Sequence, residues 1–359
     1  MDFTSDNAAA LAPEVMLGLQ AANAGTASGY GNDDLTKRVE TAFSDLFGRE
    51  VGVFLVSTGG AANGLALSAL TPSWGAILCH REAHVMVDEA AGVEFFLGGG
   101  RLVGLSGIGA KVTPSSVEAG LAAMDGRVPH QIPARTLSLT QATEYGRVYS
   151  ADEIATLCET AKRHGLKVHM DGARFANAVA ATGAEPADLT WRAGVDALSF
   201  GFTKNGALCA EAVIAFDLAL NEELTYRRKR SGHLWSKHRF LSAQVLAMLE
   251  GNAWLKHAGH ANRMAALLAE ALSENNGAEL VFPPDANEIF CRLTPDLDVQ
   301  LRAAGCHYYD WPGDPETGAG DPTKGQVNRF VTSFATTEAD IAAVRAALVT
   351  RATHSAAAG

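Results

Sequence analysis

Lys204 stands at the exit of an apolar strand, Ala197-Leu198-Ser199-Phe200-Gly201-Phe202-Thr203-Lys204-Asn205-Gly206, desolvated on one side and facing a Gly-bearing loop on the other. Thirty-three positions upstream, Lys167-Val168-His169-Met170-Asp171-Gly172-Ala173-Arg174 is a second short apolar strand that ends on a carboxylate. The two strand ends bring an amine and an acid to one edge of a sheet. That pair suits pyridoxal 5'-phosphate: a buried lysine amine forms the Schiff base, and an aspartate keeps the pyridine nitrogen protonated so that the ring accepts electrons. A lone strand-end lysine is ordinarily a side chain snorkelling to the surface. Asp171 is what turns the reading towards chemistry.

A Gly-rich step follows an earlier strand, Phe54-Leu55-Val56-Ser57-Thr58-Gly59-Gly60-Ala61-Ala62-Asn63, and runs into a helical pattern. Glycines at a helix start aim free backbone amides and the positive helix end at one point, a place for phosphate. GxGxxG is absent and no Gly-Lys-Ser/Thr follows, so neither a dinucleotide fingerprint nor a P-loop is present. By itself a Gly-Gly turn is plain strand-to-helix geometry.

These residues need a sheet to hold them. Between about residues 50 and 216, short apolar runs (51–56, 76–79, 136–140, 168–170, 197–200 and 212–216) alternate with amphipathic stretches. That alternation predicts an α/β architecture with a mostly parallel sheet covered on both faces. Thr113-Pro114 and Ser150-Ala151-Asp152-Glu153 mark helix starts. From Asn221 to about Glu274 the pattern reads as helical almost throughout, weakly interrupted at Gly251 and Gly259. Candidate strands at 278–282, 289–293 and 330–334, with a capped last helix from Thr337, predict a small α+β C-terminal domain. The expected units are 1–250 and 251–359, and the tail 352–359 is expected to fray.

The 359 residues carry a formal net charge of −11, which argues against nucleic acid or an anionic membrane as partner. Five cysteines without metal-like spacing read as reduced thiols of a cytoplasmic protein, and no ligand spacing demands a metal. The N-terminus is acidic and polar, and no apolar run approaches spanning length, so neither export nor insertion is indicated.

The chain resembles the low-specificity L-threonine aldolases, pyridoxal-phosphate enzymes of fold type I within the β-eliminating lyase and aldolase group. The likeness is carried by Ser5-Asp6-Asn7, Tyr30-Gly31-Asn32-Asp33-Asp34, Ser57-Thr58-Gly59-Gly60-Ala61-Ala62-Asn63, Ala83-His84-Val85 with Asp88-Glu89, Gln141-Ala142-Thr143-Glu144, His169-Met170-Asp171-Gly172-Ala173-Arg174, Thr203-Lys204-Asn205-Gly206 and Arg329-Phe330. In this order the motifs are specific. The resemblance implies a transferase-like large domain and a homodimer or homotetramer acting on a small amino acid. It implies that Lys204 carries the cofactor, Asp171 pairs with the pyridinium nitrogen, and His84 lies against the ring. It implies too that Ser5, Arg174 and Arg329 receive the substrate carboxylate, arginine being suited to that by its planar fork. The phosphate would rest on Thr58, Gly59, Gly60 and Ala61, helped by the Thr203 hydroxyl. In relatives a basic residue of the long helical stretch reaches the phosphate, often from a neighbouring subunit; Lys229 and Lys237 are the candidates here.

Two departures stand out. Position 60 is Gly where many relatives carry a Thr hydroxyl, and Glu144 stands where one branch carries a His near the substrate β-hydroxyl. Glu144 either serves there instead or orients His84. The reaction implied is cleavage of L-threonine, L-allo-threonine and related β-hydroxy-α-amino acids to glycine and an aldehyde, with His84, Glu144 or a water taking the hydroxyl proton. The rival readings are β-elimination or transamination on the same scaffold, preference for phenylserine-type substrates, and a protein that binds the cofactor without turnover.

Overall fold

Leu, Val and Ala are the commonest residues of the large-sheet strands, as a sheet covered on both faces requires. The computed structural model describes residues 1–124, 126, 129–312 and 326–349; the tail 352–359 lies outside them. The large sheet holds β1 (Gly52–Val56), β2 (Ala76–His80), β3 (Arg101–Leu105), β4 (Ala134–Thr140), β5 (Lys167–Gly172), β6 (Ala197–Gly201) and β7 (Glu211–Ala215), in spatial order β1-β7-β6-β5-β4-β2-β3. β3, β2, β4, β5 and β6 run parallel, while β7 is antiparallel to both β6 and β1. The carboxyl ends of β1, β2, β4, β5 and β6 therefore share one edge, and β7 begins there. That edge is where open α/β sheets place ligands.

Helix Gly59–Leu70 is buried on almost every side. It packs between the sheet and helix Gly92–Leu97, and a Cβ at Gly64 would come within 2.5 Å of the Phe96 ring, so close packing requires glycine there. On the other side Phe43, Phe175, Phe200, Phe202 and Trp254 form the aromatic centre of the main core; Phe200 and Phe202 stack at 4.5 Å and Phe43 meets Phe200 edge-on at 5.7 Å. Helix starts follow the sequence signals: Thr113 caps Pro114–Ala123, and Ser150 with Glu153 forms a capping box on Ala151–Arg163.

The small sheet is antiparallel, in order β10-β11-β9-β8, with β8 (Ala278–Leu280), β9 (Glu288–Leu293), β10 (Tyr309–Asp310) and β11 (Val327–Val331). Ile289, Cys291 and Phe330 face a second core with Leu268, Leu272, Leu301, Ile341 and Val344. Phe3 is fully buried in that core, and its backbone is held by the His307 carbonyl and the Val331 N–H, each at 2.8 Å. The N-terminal segment thus laces the smaller unit to the site.

Two expectations shift and one holds. The stretch 221–274 is three helices, Asn221–Arg230, Arg239–Leu249 and Ala253–Ser273, broken around Gly232 and Gly251 at φ +81° and +66°; Gly259 interrupts nothing. The strand expected at 330–334 is Val327–Val331, because polar Asn328 and Arg329 hide its start. The last helix, Glu338–Val349, begins where Thr337 and Asp340 cap each other.

Candidate active site

At the shared edge lies a cavity of about 540 Å³ lined by Lys204, Asp171, His84, Glu144, Arg174, Arg329, Ser5, Thr58, Gly59, Gly60 and Thr203 among others. Lys204 sits in a short 3₁₀ turn directly after β6, and Asp171 is the next-to-last residue of neighbouring β5, 3% exposed. One Asp171 oxygen accepts from Asn63 Nδ2 at 2.8 Å and the other from the Ala173 N–H at 3.0 Å. Two residues earlier on the same strand face, buried His169 joins Ser138 and Ser199, each at 2.9 Å, and burial pushes it down to about 4. A neutral imidazole therefore supports the floor beneath Asp171 at working pH.

Thr58 caps helix Gly59–Leu70, its hydroxyl accepting from Ala61 N–H at 3.3 Å. The first-turn amides of Gly59 and Gly60 have no intrahelical acceptor, and nothing lies within 4 Å of where a Gly59 Cβ would stand. This is an open, donor-rich cradle that could hold a phosphate ester. The Thr203 hydroxyl bridges to the Ala210 backbone, tying the Lys204 turn to the start of β7. Glu211, the first residue of that strand, lines the cavity; it accepts from Phe202 N–H at 3.0 Å, and burial pushes it up to about 7.

His84 begins helix His84–Val87. Its ring Nδ1 meets Glu89 Oε1 at 2.9 Å, the same oxygen that accepts from Asn63 Nδ2 at 2.9 Å, so Glu89 and Asn63 link the imidazole to Asp171. The Glu89 hydrogen bond raises the His84 pKa. Glu144 holds His84 through the backbone, its Oε1 accepting from the His84 N–H at 2.9 Å, while Glu89 holds the imidazole. The second Glu144 oxygen is shielded from solvent without a hydrogen bond, and burial pushes the carboxyl up to about 7.

At the opposite end, Arg174 makes a two-pronged contact to Asp6, Nε to Oδ2 at 2.8 Å and Nη2 to Oδ1 at 3.1 Å, and its Nη1 lies 3.2 Å from Glu288. Arg329 reaches the Thr4 carbonyl at 3.2 Å and lies over the Trp311 ring at 4.7 Å. Burial pulls its pKa down. Burial acts the same way on Arg174, but Asp6 and Glu288 outweigh it and the net movement is upward. Ser5 Oγ accepts from the Asn7 N–H and so shapes the turn that presents Asp6.

Lys229 and Lys237 are not among the residues lining this cavity; Lys229 lies over the Tyr30 ring at 4.7 Å and both are exposed. Sequence reasoning gave no role to Asp6, Asn63, Glu89, His169, Glu211 or Glu288. Asp6, Asn63, Glu89 and His169 lie inside the family motifs, and that company was the available signal.

A beta-eliminating lyase family model matches residues 2–294. The chain belongs to the β-eliminating lyase family. Within that family it is 43% identical to a low specificity L-threonine aldolase of Pseudomonas sp., over 87% of this chain and 89% of the relative. A low specificity L-threonine aldolase of Saccharomyces cerevisiae is 28% identical over 83% and 77% of the two chains. Among solved structures, a threonine aldolase of Leishmania major superposes with a TM-score of 0.88 at 24% identity, covering 97% and 98% of the chains. The aspartate aminotransferase of Rhizobium meliloti superposes at 0.67 and 17% identity over 95% and 88%. The family member described here thus has the fold of type I pyridoxal-phosphate enzymes, a fold that hosts more than one reaction.

Proposed function

We infer that this lyase binds pyridoxal 5'-phosphate and cleaves L-threonine, L-allo-threonine and related β-hydroxy-α-amino acids to glycine and an aldehyde. The observation that carries this reading is the meeting of Lys204 and Asp171 at neighbouring strand ends with a solvent-shielded Glu144 in the same cavity. The 43% identity to a low specificity L-threonine aldolase selects among the reactions of the fold. The residues fit the cofactor. Lys204 supplies the amine, Asp171 a carboxylate for the ring nitrogen, His84 an imidazole beside the ring, and Thr58, Gly59, Gly60, Ala61 and Thr203 the phosphate cradle. Lys229 or Lys237 reaches the phosphate of a neighbouring subunit in this reading, which goes with a homodimer or homotetramer in the cytoplasm. The units 1–250 and 251–359 then meet across the cavity.

Once bound, the cofactor supplies the electron sink for the bond that breaks. Arg174 and Arg329 grip the substrate carboxylate, with Ser5 beside them, and so fix rotation about the N–Cα bond and choose which bond aligns for cleavage. Glu144 takes the β-hydroxyl proton. A carboxyl pushed to about 7 ionises near neutral pH yet remains basic enough to accept a proton. The His84 ring nitrogen Nδ1 is already engaged by Glu89, whereas the second Glu144 oxygen has no hydrogen bond to give up. Asn63 and Glu89 hold Asp171 and His84 in fixed relation.

Incubating the holoenzyme with L-threonine tests the reading. Glycine and acetaldehyde in equal amounts are expected. Ammonia with an oxo acid would assign elimination, and a cofactor converted to its amine form would assign transamination.

A further inference from the structure

Glu288 opens β9, and its side chain is 1% exposed. Its Oε2 lies 3.2 Å from Arg174 Nη1 and its Oε1 lies 4.0 Å from Arg329 Nη1, yet neither oxygen makes a hydrogen bond. It occupies the space between the two guanidinium groups that the proposed reaction uses for the substrate carboxylate. Gly146, at φ +67°, packs against the base of this side chain: a Cβ there would come within 3.0 Å of the Glu288 Cβ.

Charge balance governs what an incoming ligand meets here. Arg174 and Arg329 are balanced by Asp6 and Glu288; Lys204, the further cation that Glu288 feels, would be engaged with the cofactor in the holoenzyme and stands outside this balance. A substrate carboxylate adds one buried negative charge to a balanced group, and an uncompensated buried ion is strongly unfavourable. A proton on one resident carboxylate restores the balance. Asp6 is the wrong acceptor, because its ionised form receives both prongs of Arg174 and the Asn287 amide at 3.1 Å. Glu288 has no such hydrogen bonds to lose.

We propose that Glu288 stands in for the substrate carboxylate between Arg174 and Arg329 in the empty site and takes up one proton from solvent when an amino acid binds. The carboxyl forms one O–H bond and becomes neutral; the arginines turn their charge to the ligand. Burial raises this carboxyl against the opposing pull of Arg174 and Arg329, whereas Asp6, also buried, is held down by Arg174 and Lys204. Glu288 is a positioning residue that makes amino-acid affinity depend on pH.

The proposal rests on the reading of Arg174 and Arg329 as the carboxylate site, and calorimetry separates the two. Glycine binding to holoenzyme is measured in buffers of different ionisation enthalpy, which counts protons exchanged. After correction for the ligand's own amine, wild type is expected to take up about one proton more than E288Q. Its affinity relative to that of E288Q should fall about tenfold per pH unit above the free Glu288 pKa. Equal proton counts in the two proteins would overturn the proposal. On wild type alone, glycinamide brings no carboxylate charge and should take up about one proton fewer than glycine; equal uptake would overturn the proposal even if E288Q fails to fold. If R329Q binds glycine like wild type, the carboxylate reading itself has failed, and the proposal with it.

Discussion

Glu144→Gln keeps the side-chain shape and the acceptor for the His84 N–H but removes the titrating proton. Burial raises the carboxyl from its ordinary 4.5 to about 7, a change worth about 3 kcal/mol at about 1.4 kcal/mol per tenfold in proton affinity. Because the folded value lies above the unfolded one, the native state loses nothing below about 4.5. It is progressively destabilised as pH rises to about 7 and carries the whole penalty above that. Glutamine does not titrate, so the variant should gain up to about 3 kcal/mol relative to wild type between pH 4.5 and pH 8. Urea unfolding of both holoenzymes at the two pH values measures this. In the same proteins, turnover of L-threonine should fall by about two to four powers of ten, and the rise of wild-type kcat through about pH 7 should vanish. Exchange of the glycine Cα proton, which involves no hydroxyl, should suffer much less. A pH-independent stability difference would refute the burial argument; wild-type turnover in the variant would refute the base.

Borohydride reduction followed by peptide mapping should leave the pyridoxyl label on Lys204, and a label on another lysine would reassign the site. Asp171→Ala should retain cofactor by its absorbance while cleavage stops, because an unprotonated pyridine is a poor electron sink; normal turnover would mean that another group protonates the nitrogen. Arg329→Lys should raise KM and lower kcat together, since a point charge cannot reproduce the fork, and unchanged kinetics would leave Arg329 with only its packing on Trp311. Phe43→Ala, opening a space against Phe200 and Phe202, should cost about 3 to 5 kcal/mol in denaturant titration; a loss under about 1 kcal/mol would mean that the core closes over the gap.

Lys204 and Asp171 were legible because each ends an apolar run, so the sequence itself marks the sheet edge at which they stand. Thr58 and the glycines were legible for the same local reason, a cap following a strand. Glu288 and the role of Asp6 were not: Glu288 is an ordinary acid in its own neighbourhood, Asp6 carries only the company of its motif, and their chemistry arises when positions far apart in the chain meet around Arg174. Asn63 and Glu89 sit inside recognisable motifs, but their linkage crosses from a helix to β5, which no local spacing reports. β3 escaped because Arg101-Leu102-Val103-Gly104-Leu105 is a partly exposed edge strand with a glycine inside and no apolar run. β11 was misplaced by three residues because its start carries no apolar run: Asn328 is polar though buried, and Arg329 lines the cavity.

The lacing of the first residues into the small unit bears on how the protein is made. Asp6 must find Asn287 across 281 positions and Thr4 must find Arg329 across 325, while Phe3 waits for a core that the later third of the chain supplies. On a ribosome the N-terminal segment emerges first and is satisfied last. During that interval its phenylalanine is a candidate for chaperone binding, and the proposed carboxylate grip cannot form before β11 has left the exit tunnel. On the proposed reading a nascent chain acquires its lysine and aspartate before its hold on an amino acid, so partial products of synthesis should be unable to capture the cell's free amino acids.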